Sequence, residues 1–181
     1  MKDINLLLEV IRFASEKHKY QTRKDGRIPY INHPIEVAHV LMSAGEDDPA
    51  LLAAAVLHDT IEDTQTCEED ISSRFGQEVL EIVLEVTDDK KLSKHERKQA
   101  QIDHATQLSR KAKLLKLADK ICNVNDIIKR PPGGWSVKRK VQYLDWSDAV
   151  VAGLRGTNDN LETKFDSYVA KGRRVLREAL V

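Results

Sequence analysis

The segment Leu57-His58-Asp59-Thr60-Ile61-Glu62-Asp63 sets an imidazole and three carboxylates side by side. Positions 58, 59, 62 and 63 are related by i, i+3 and i+4 steps, so on a continuous helix their side chains share one face. The residues just before them, Ala50 to Leu57, carry no polar side chain. A helix apolar all round belongs at the centre of a fold, which would put the acids at its buried end. Burying that much carboxylate uncompensated costs several kcal/mol per charge, so a cation or shifted protonation is required. The bland alternative is a helix end that frays into water. A His-Asp dipeptide by itself does not decide between the two.

Two more residues offer donors. His33 precedes Pro34 at an expected helix start, and Asp119 lies in the apolar stretch Leu114-Leu115-Lys116-Leu117-Ala118. His33, His58, Asp59 and Asp119 make a set of two imidazoles and two carboxylates. Such mixed nitrogen and oxygen ligation suits Mn²⁺, Fe²⁺ or Zn²⁺, with positions left open for water. Spacing cannot show that they meet, because they come from three segments. The competing readings are a helix N-cap for His33 and a core acid paired with Lys116 or Lys120 for Asp119.

The elements that would carry these residues read as helical almost throughout. Leu6, Leu7, Val10, Ile11 and Ala14 recur at helix spacing. Arg23 to Tyr30 contains Asp25-Gly26 and Pro29, which predicts at most one short β-hairpin near residues 22–30, or a loop. A helix starts at His33-Pro34 and runs to about Ala44, with Gly45 just beyond its end. Asp48-Pro49 starts the central apolar helix. Thr66 with Glu69, and Ser93 with Glu96, read as capping boxes. Gly76 precedes an amphipathic stretch, Val79 to Val86. Lys113 to Ile128 is helical, Pro131-Pro132-Gly133-Gly134 breaks the chain, and two last helices cover Val137 to Leu154 and about Asn158 to Leu180. The expectation is an all-α helical bundle of about eight to ten helices, one domain over residues 1–181.

Composition narrows the function. The chain has 181 residues, 41% of them apolar and 32% charged, with 29 basic against 29 acidic side chains. Zero net charge argues against a general nucleic-acid binder. No apolar run reaches the roughly 20 residues that span a bilayer. The N-terminal apolar stretch is short and interrupted by acids, so no signal peptide and a cytoplasmic location are expected. Cys67 and Cys122 form no CxxC pair and read as structural thiols. Neutrality hides a polarity, however. Residues 44–89 hold fourteen acids and one base, Arg74, whereas residues 110–140 hold ten bases and two acids, Asp119 and Asp126. If these blocks face one cleft, they create a field suited to a small, multiply charged ligand.

The motifs Arg23-Lys24-Asp25-Gly26, Pro29-Tyr30-Ile31-Asn32-His33-Pro34, Leu57 to Thr64, Val86-Thr87-Asp88-Asp89-Lys90 and Lys116 to Lys120 with Asn123 follow in order. In this combination the chain resembles the HD-domain hydrolases of the RelA/SpoT alarmone enzymes. Gly134-Trp135-Ser136, Tyr143, Trp146 and Gly153 to Asn158 make it similar to the stand-alone small alarmone hydrolases, the metazoan SpoT type in particular. The resemblance implies an HD-domain helical bundle without synthetase or regulatory domains. It implies one Mn²⁺ held by His33, His58, Asp59 and Asp119, and removal of the 3′-pyrophosphate from guanosine tetra- or pentaphosphate.

By the same resemblance Glu62 and Asp63 orient the attacking water or shuttle its proton, and two such close carboxyls should differ in pKa. Arg23, Lys24, Lys94, Asn123, Arg139 and Tyr143 match family positions near the guanine nucleotide. A solvated helix face is the ordinary reading for each exposed cation among them. One departure stands out: the family commonly has Arg where this chain has Asn125. His18 is read as a helix-end cation that could line the site, His39, His95 and His104 as surface groups, and Trp135 and Trp146 as packing anchors. The rival readings are an HD phosphohydrolase of another nucleotide, such as an NADPH 2′-phosphatase, and a non-catalytic nucleotide- or metal-binding module. Neither a membrane nor a nucleic-acid partner is expected, and the sequence is silent on homo-oligomers.

Overall fold

The computed structural model describes residues 2–179. They form ten α-helices: α1 (Lys2–Lys17), α2 (Asn32–Ser43), α3 (Pro49–Leu57), α4 (Thr60–Asp63), α5 (Glu68–Phe75), α6 (Gln77–Val86), α7 (Lys94–His104), α8 (Arg110–Lys129), α9 (Val137–Ala152) and α10 (Asp159–Glu178). A 3₁₀ turn, Ala105–Gln107, follows α7. Leu180, the expected end of the last helix, lies outside the described residues.

α3 is the hub. Asp48 Oδ1 accepts from the Leu51 N–H at 2.8 Å and Pro49 occupies the first turn, so the helix starts where the sequence predicts. Every residue from Leu51 to Leu57 is buried. α1, α2, α6 and α8 pack around it, and α8 is backed in turn by α10 and α9. Leu114, Leu115, Leu117 and Ile121 of α8 are fully buried. Each contributes about 1.5–3 kcal/mol by leaving water, which makes α3 and α8 the rigid members of the bundle.

α2 ends as expected: Gly45 takes φ +89°, and its N–H and that of Glu46 reach back to the carbonyls of Met42 and Leu41. Ser93 and Glu96 do form a reciprocal capping box at the start of α7. Two local expectations need correction. The box expected at Thr66 sits one residue later: Cys67 is the N-cap of α5, and its N–H donates to Asp70 Oδ2 at 3.2 Å. The Thr66 hydroxyl is instead buried against that of Thr64, 2.7 Å away. The central helix does not run on through the acids. It stops at Leu57, Thr60 Oγ1 donates to the Leu57 carbonyl at 2.7 Å, and a one-turn helix, α4, restarts at Thr60. The segment near 22–30 agrees with the expectation of a short hairpin at most: it holds one antiparallel bridge, Thr22 to Pro29, and Asp25 Oδ1 accepts from the N–H groups of Arg27 and Ile28 to close the turn.

Gly153, in the motif after α9, is needed for close approach. A Cβ there would lie 2.6 Å from Ala105 Cβ and 3.2 Å from the Thr106 backbone nitrogen. Gly153→Ala should therefore destabilise the fold by about 1–3 kcal/mol, read as a lower urea midpoint at unchanged slope.

Candidate metal centre and nucleotide cleft

Three segments meet at one point. The first turn of α2 carries His33, the break between α3 and α4 carries His58 and Asp59, and the middle of α8 carries Asp119. One ligand atom each from His33, His58 and Asp119 lies within 4.8 Å of the others, and all three residues are buried. His33 Nε2 is 3.1 Å from Asp119 Oδ1 and 3.8 Å from Asp59 Oδ2. His58 Nε2 is 3.0 Å from Asp59 Oδ2 and 3.8 Å from Asp119 Oδ1. Asp59, the fourth expected donor, stands beside the convergent three, with Oδ2 turned to both imidazoles.

The tautomers are set from outside the cluster. His58 Nδ1 donates to the Ala55 carbonyl at 2.8 Å, which turns Nε2 into the cluster, where it offers a lone pair once its proton is displaced. That Nε2 is buried and has no properly directed hydrogen bond. An orphaned imidazole nitrogen among carboxylates is the feature expected of residues that share a divalent cation, so the donor set fits one. Charge confirms the tension. Burial opposes ionisation of His58, yet Asp59 and Asp119 outweigh it and push the imidazole up to about 9. Burial also opposes the Asp119 charge, but Lys120 and His33 hold its carboxyl well below the usual range. Lys120 Nζ donates to Asp119 Oδ2 at 3.0 Å, and Asn123 Nδ2 to Oδ1 at 2.6 Å.

Glu62 and Asp63 line the same cavity, of about 300 Å³, with Asp88, Lys116 and Tyr30. Glu62 Oε2 accepts from the Asp88 N–H at 3.2 Å, and Oε1 lies 3.7 Å from Arg97 Nη1. Asp63 Oδ1 accepts from Lys90 Nζ at 2.9 Å. Burial, joined by the charges of Asp88, Asp59 and Asp63, raises the Glu62 carboxyl above its ordinary range against the pull of the Asp88 N–H.

At Lys24, Asp88, Gln101 and Tyr143 this cavity adjoins a larger cleft of about 830 Å³. Its cations are Lys94, Arg97 and Lys98 from α7, Lys138 and Arg139 from α9, and Lys24. Arg23 lines the metal cavity. Its guanidinium donates to Asp126 Oδ2 at 2.7 and 3.1 Å and to Asn123 Oδ1 at 2.9 Å, which links it through Asn123 to Asp119. Asn125 faces another recess, which shares Arg23 and His33 with the metal cavity and where Arg130 donates to Asp126. Thus all twelve expected site residues face these two adjoining spaces.

Several residues of the site take roles that the sequence does not announce. The polarity of the field is as expected, but half its cations come from α7, which lies between the two charge blocks. Trp135 and Trp146 line the cleft as well as packing: Arg139 Cζ lies 4.2 Å from the Trp135 ring centre and Lys98 Nζ 4.5 Å from that of Trp146. The signal available was the alternation of aromatic and basic residues at helix spacing from Trp135 to Trp146. Lys116 is buried, its Nζ donating to the Val86 carbonyl at 2.9 Å. His18 does not line the cavity; it is buried behind Tyr30. His39, His95 and His104 are exposed, as is Cys67, while Cys122 is buried. Among the described residues no helix is long and apolar enough to cross a membrane.

The pattern described as the HD domain matches residues 11–144, and the chain belongs to that family. Within it the chain is similar to the guanosine-3′,5′-bis(diphosphate) 3′-pyrophosphohydrolase MESH1 of Xenopus tropicalis, 54% identical over 91% of this chain and 93% of that one. The human protein of the same name is 50% identical over 86% of this chain and 88% of its own. A solved structure described as a metazoan ortholog of SpoT that hydrolyzes ppGpp and plays a role in starvation responses superimposes with a TM-score of 0.89. It is 45% identical and covers 92% of this chain and 94% of its own.

Two outcomes follow from the geometry. Adding a divalent transition-metal ion to metal-free protein should raise its thermal midpoint, by about 2.7 kcal/mol of stability at a hundredfold excess over Kd. Asp119→Asn should lose that increment, whatever its own midpoint. Burial and the Lys120 charge also push the Lys116 ammonium down to about 8. Above that pH the folded chain has shed a proton that the unfolded chain keeps to roughly pH 10.4, so this group adds stability as pH rises through the window. Unfolding measured at pH 7.5 and 10 should show wild type gaining about 2 kcal/mol relative to Lys116→Met.

Proposed function

We propose that the chain is a metal-dependent guanosine-3′,5′-bis(diphosphate) 3′-pyrophosphohydrolase, acting on guanosine tetra- and pentaphosphate and so lowering alarmone. One observation carries the reading. A donor set for a single cation, an acid pair and a row of cations line one continuous space, in a chain 54% identical to an enzyme of that name. The ion proposed is one Mn²⁺, held by His33, His58, Asp59 and Asp119. When bound it would supply Lewis acidity to the phosphoryl oxygens and lower the pKa of water.

The chain's own residues do the rest. Arg23, Lys24 and Asn123 hold the nucleoside end beside the metal cavity. Lys94 and Arg139 take phosphate charge in the outer cleft, and Tyr143 walls the neck between the two spaces. Glu62, its carboxyl raised by burial, and Asp63, paired to Lys90, flank the place where water must approach phosphorus. They orient that water and carry its proton away. A bond forms between water oxygen and phosphorus, the bond to the ribose 3′-oxygen breaks, and the 3′-oxygen leaves with a proton. The products are pyrophosphate and GDP or GTP. We place this chemistry in the cytoplasm, on a small-molecule substrate.

Incubation of the purified protein with guanosine tetraphosphate and Mn²⁺ should release pyrophosphate, and EDTA should stop it. No release with Mn²⁺, or faster release of phosphate from NADPH run alongside, overturns the assignment. Glu62→Gln should keep its metal content while kcat falls by about 10²–10⁴. Turnover near the starting level would remove Glu62 from its role.

A further inference from the structure

The Tyr30 side chain touches both a proposed metal ligand and a proposed catalytic acid. Its hydroxyl donates to Asp59 Oδ2 at 2.6 Å and lies 3.4 Å from Asp63 Oδ2. The Asp59 oxygen that it engages is the same one that faces His58 Nε2 at 3.0 Å and His33 Nε2 at 3.8 Å.

The ring is fixed from several sides. His18, 1% exposed at the end of α1, lies against it with ring centres 4.9 Å apart at 32°. The Arg23 guanidinium carbon lies 5.5 Å from its centre, and His33 meets it edge-on at 6.0 Å. His18 is itself tied by Nδ1 to the Gln21 side-chain oxygen, and Gln21 Nε2 donates to the Asp63 carbonyl at 2.6 Å. The backbone adds a further restraint: the Tyr30 N–H donates to the Gln21 carbonyl at 2.9 Å, and the His33 N–H to that of Tyr30 at 2.9 Å. A phenol held by so many neighbours cannot follow the carboxylate, so the carboxylate must follow the phenol.

We propose that Tyr30 is a positioning residue that fixes the Asp59 carboxylate against the two imidazoles and sets its distance to Asp63. The inference rests on the metal set proposed above. Asp59 is the N-cap of α4, and its side chain accepts no capping hydrogen bond that would fix its rotamer. Without the phenolic O–H its Oδ2 would be oriented only by the partners it shares with the cation. Hydrogen bonds of this kind to a ligand carboxylate are worth about 10–100-fold in metal affinity.

The test is Tyr30→Phe, which keeps the ring and its packing on His18 and removes one oxygen. Mn²⁺ binding to the metal-free proteins would be followed by calorimetry. Kd should rise about 10–100-fold over wild type, while the metal-free thermal midpoint stays within about 2 °C. At saturating Mn²⁺ the loss should appear in kcat, with KM for guanosine tetraphosphate unchanged. Equal Kd for Tyr30→Phe and wild type overturns the inference, and so does a loss confined to KM. A second variant, His18→Leu, should weaken Mn²⁺ less than Tyr30→Phe does; the reverse order would transfer the role to the histidine. If the wild-type protein itself binds no Mn²⁺, the metal reading falls and this inference falls with it.

Discussion

Asp119 sits in the middle of a twenty-residue helix, with fully buried leucines and isoleucine on either side of it in the sequence. A carboxylate there is tolerable only if its surroundings supply positive charge and hydrogen bonds from every direction. His33 comes from 86 residues earlier in the chain, Lys120 is the next residue, and Asn123 lies one turn on. The packing of the bundle brings these groups together. The first turn of α2, the end of α3 and the loop carrying Arg23 are thereby drawn to one face of α8. The site and the core are thus two descriptions of the same packing.

That constraint explains why the chemistry is divided as it is. Groups that must not move, the imidazoles and Asp119, are carried by α2, α3 and α8, each buried against the others. Groups that must meet a flexible, highly charged ligand come from α7, α9 and the loop near residue 24. Arg23 and Asn123 lie between, bonded to each other and onward to Asp119 and Asp126. A nucleotide contacting Arg23 is therefore two hydrogen bonds from the donor set. The acid pair is held in the same way, Glu62 by the Asp88 backbone and Asp63 by Lys90, both in the connection between α6 and α7.

Much of this was legible in the sequence where local rules operate. The all-apolar run to Leu57, the Asp48-Pro49 start, Gly45 and the Ser93–Glu96 box each state a helix boundary through chemistry of neighbouring residues. The four donors were legible as a set because uncompensated acid in apolar sequence is costly. The break after Leu57 was not, since helix spacing continues unbroken through Asp63. At the break the Thr60 hydroxyl turns back on the Leu57 carbonyl, which spacing alone does not report. Thr66 misled for the opposite reason: a good capping side chain was already engaged with Thr64. Tyr30 and Arg97 act on residues 29 to 35 positions away, and no periodicity reports a partner at that distance.

α7 carries Lys94, Arg97, Lys98 and Gln101 over the cleft, yet it has no buried residue. It is held by the half-buried Ile102 against the core and by polar links such as Trp146 Nε1–H to the Lys98 carbonyl and Gln101 to Asp88. Substitutions on such a surface alter stability by only about half a kcal/mol. In evolutionary terms the molecule separates two inheritances. Its catalytic centre is locked into the core and can change only at the expense of folding. The face proposed to meet the ligand's phosphates can be altered at little cost to folding, so a change of substrate need not disturb the centre.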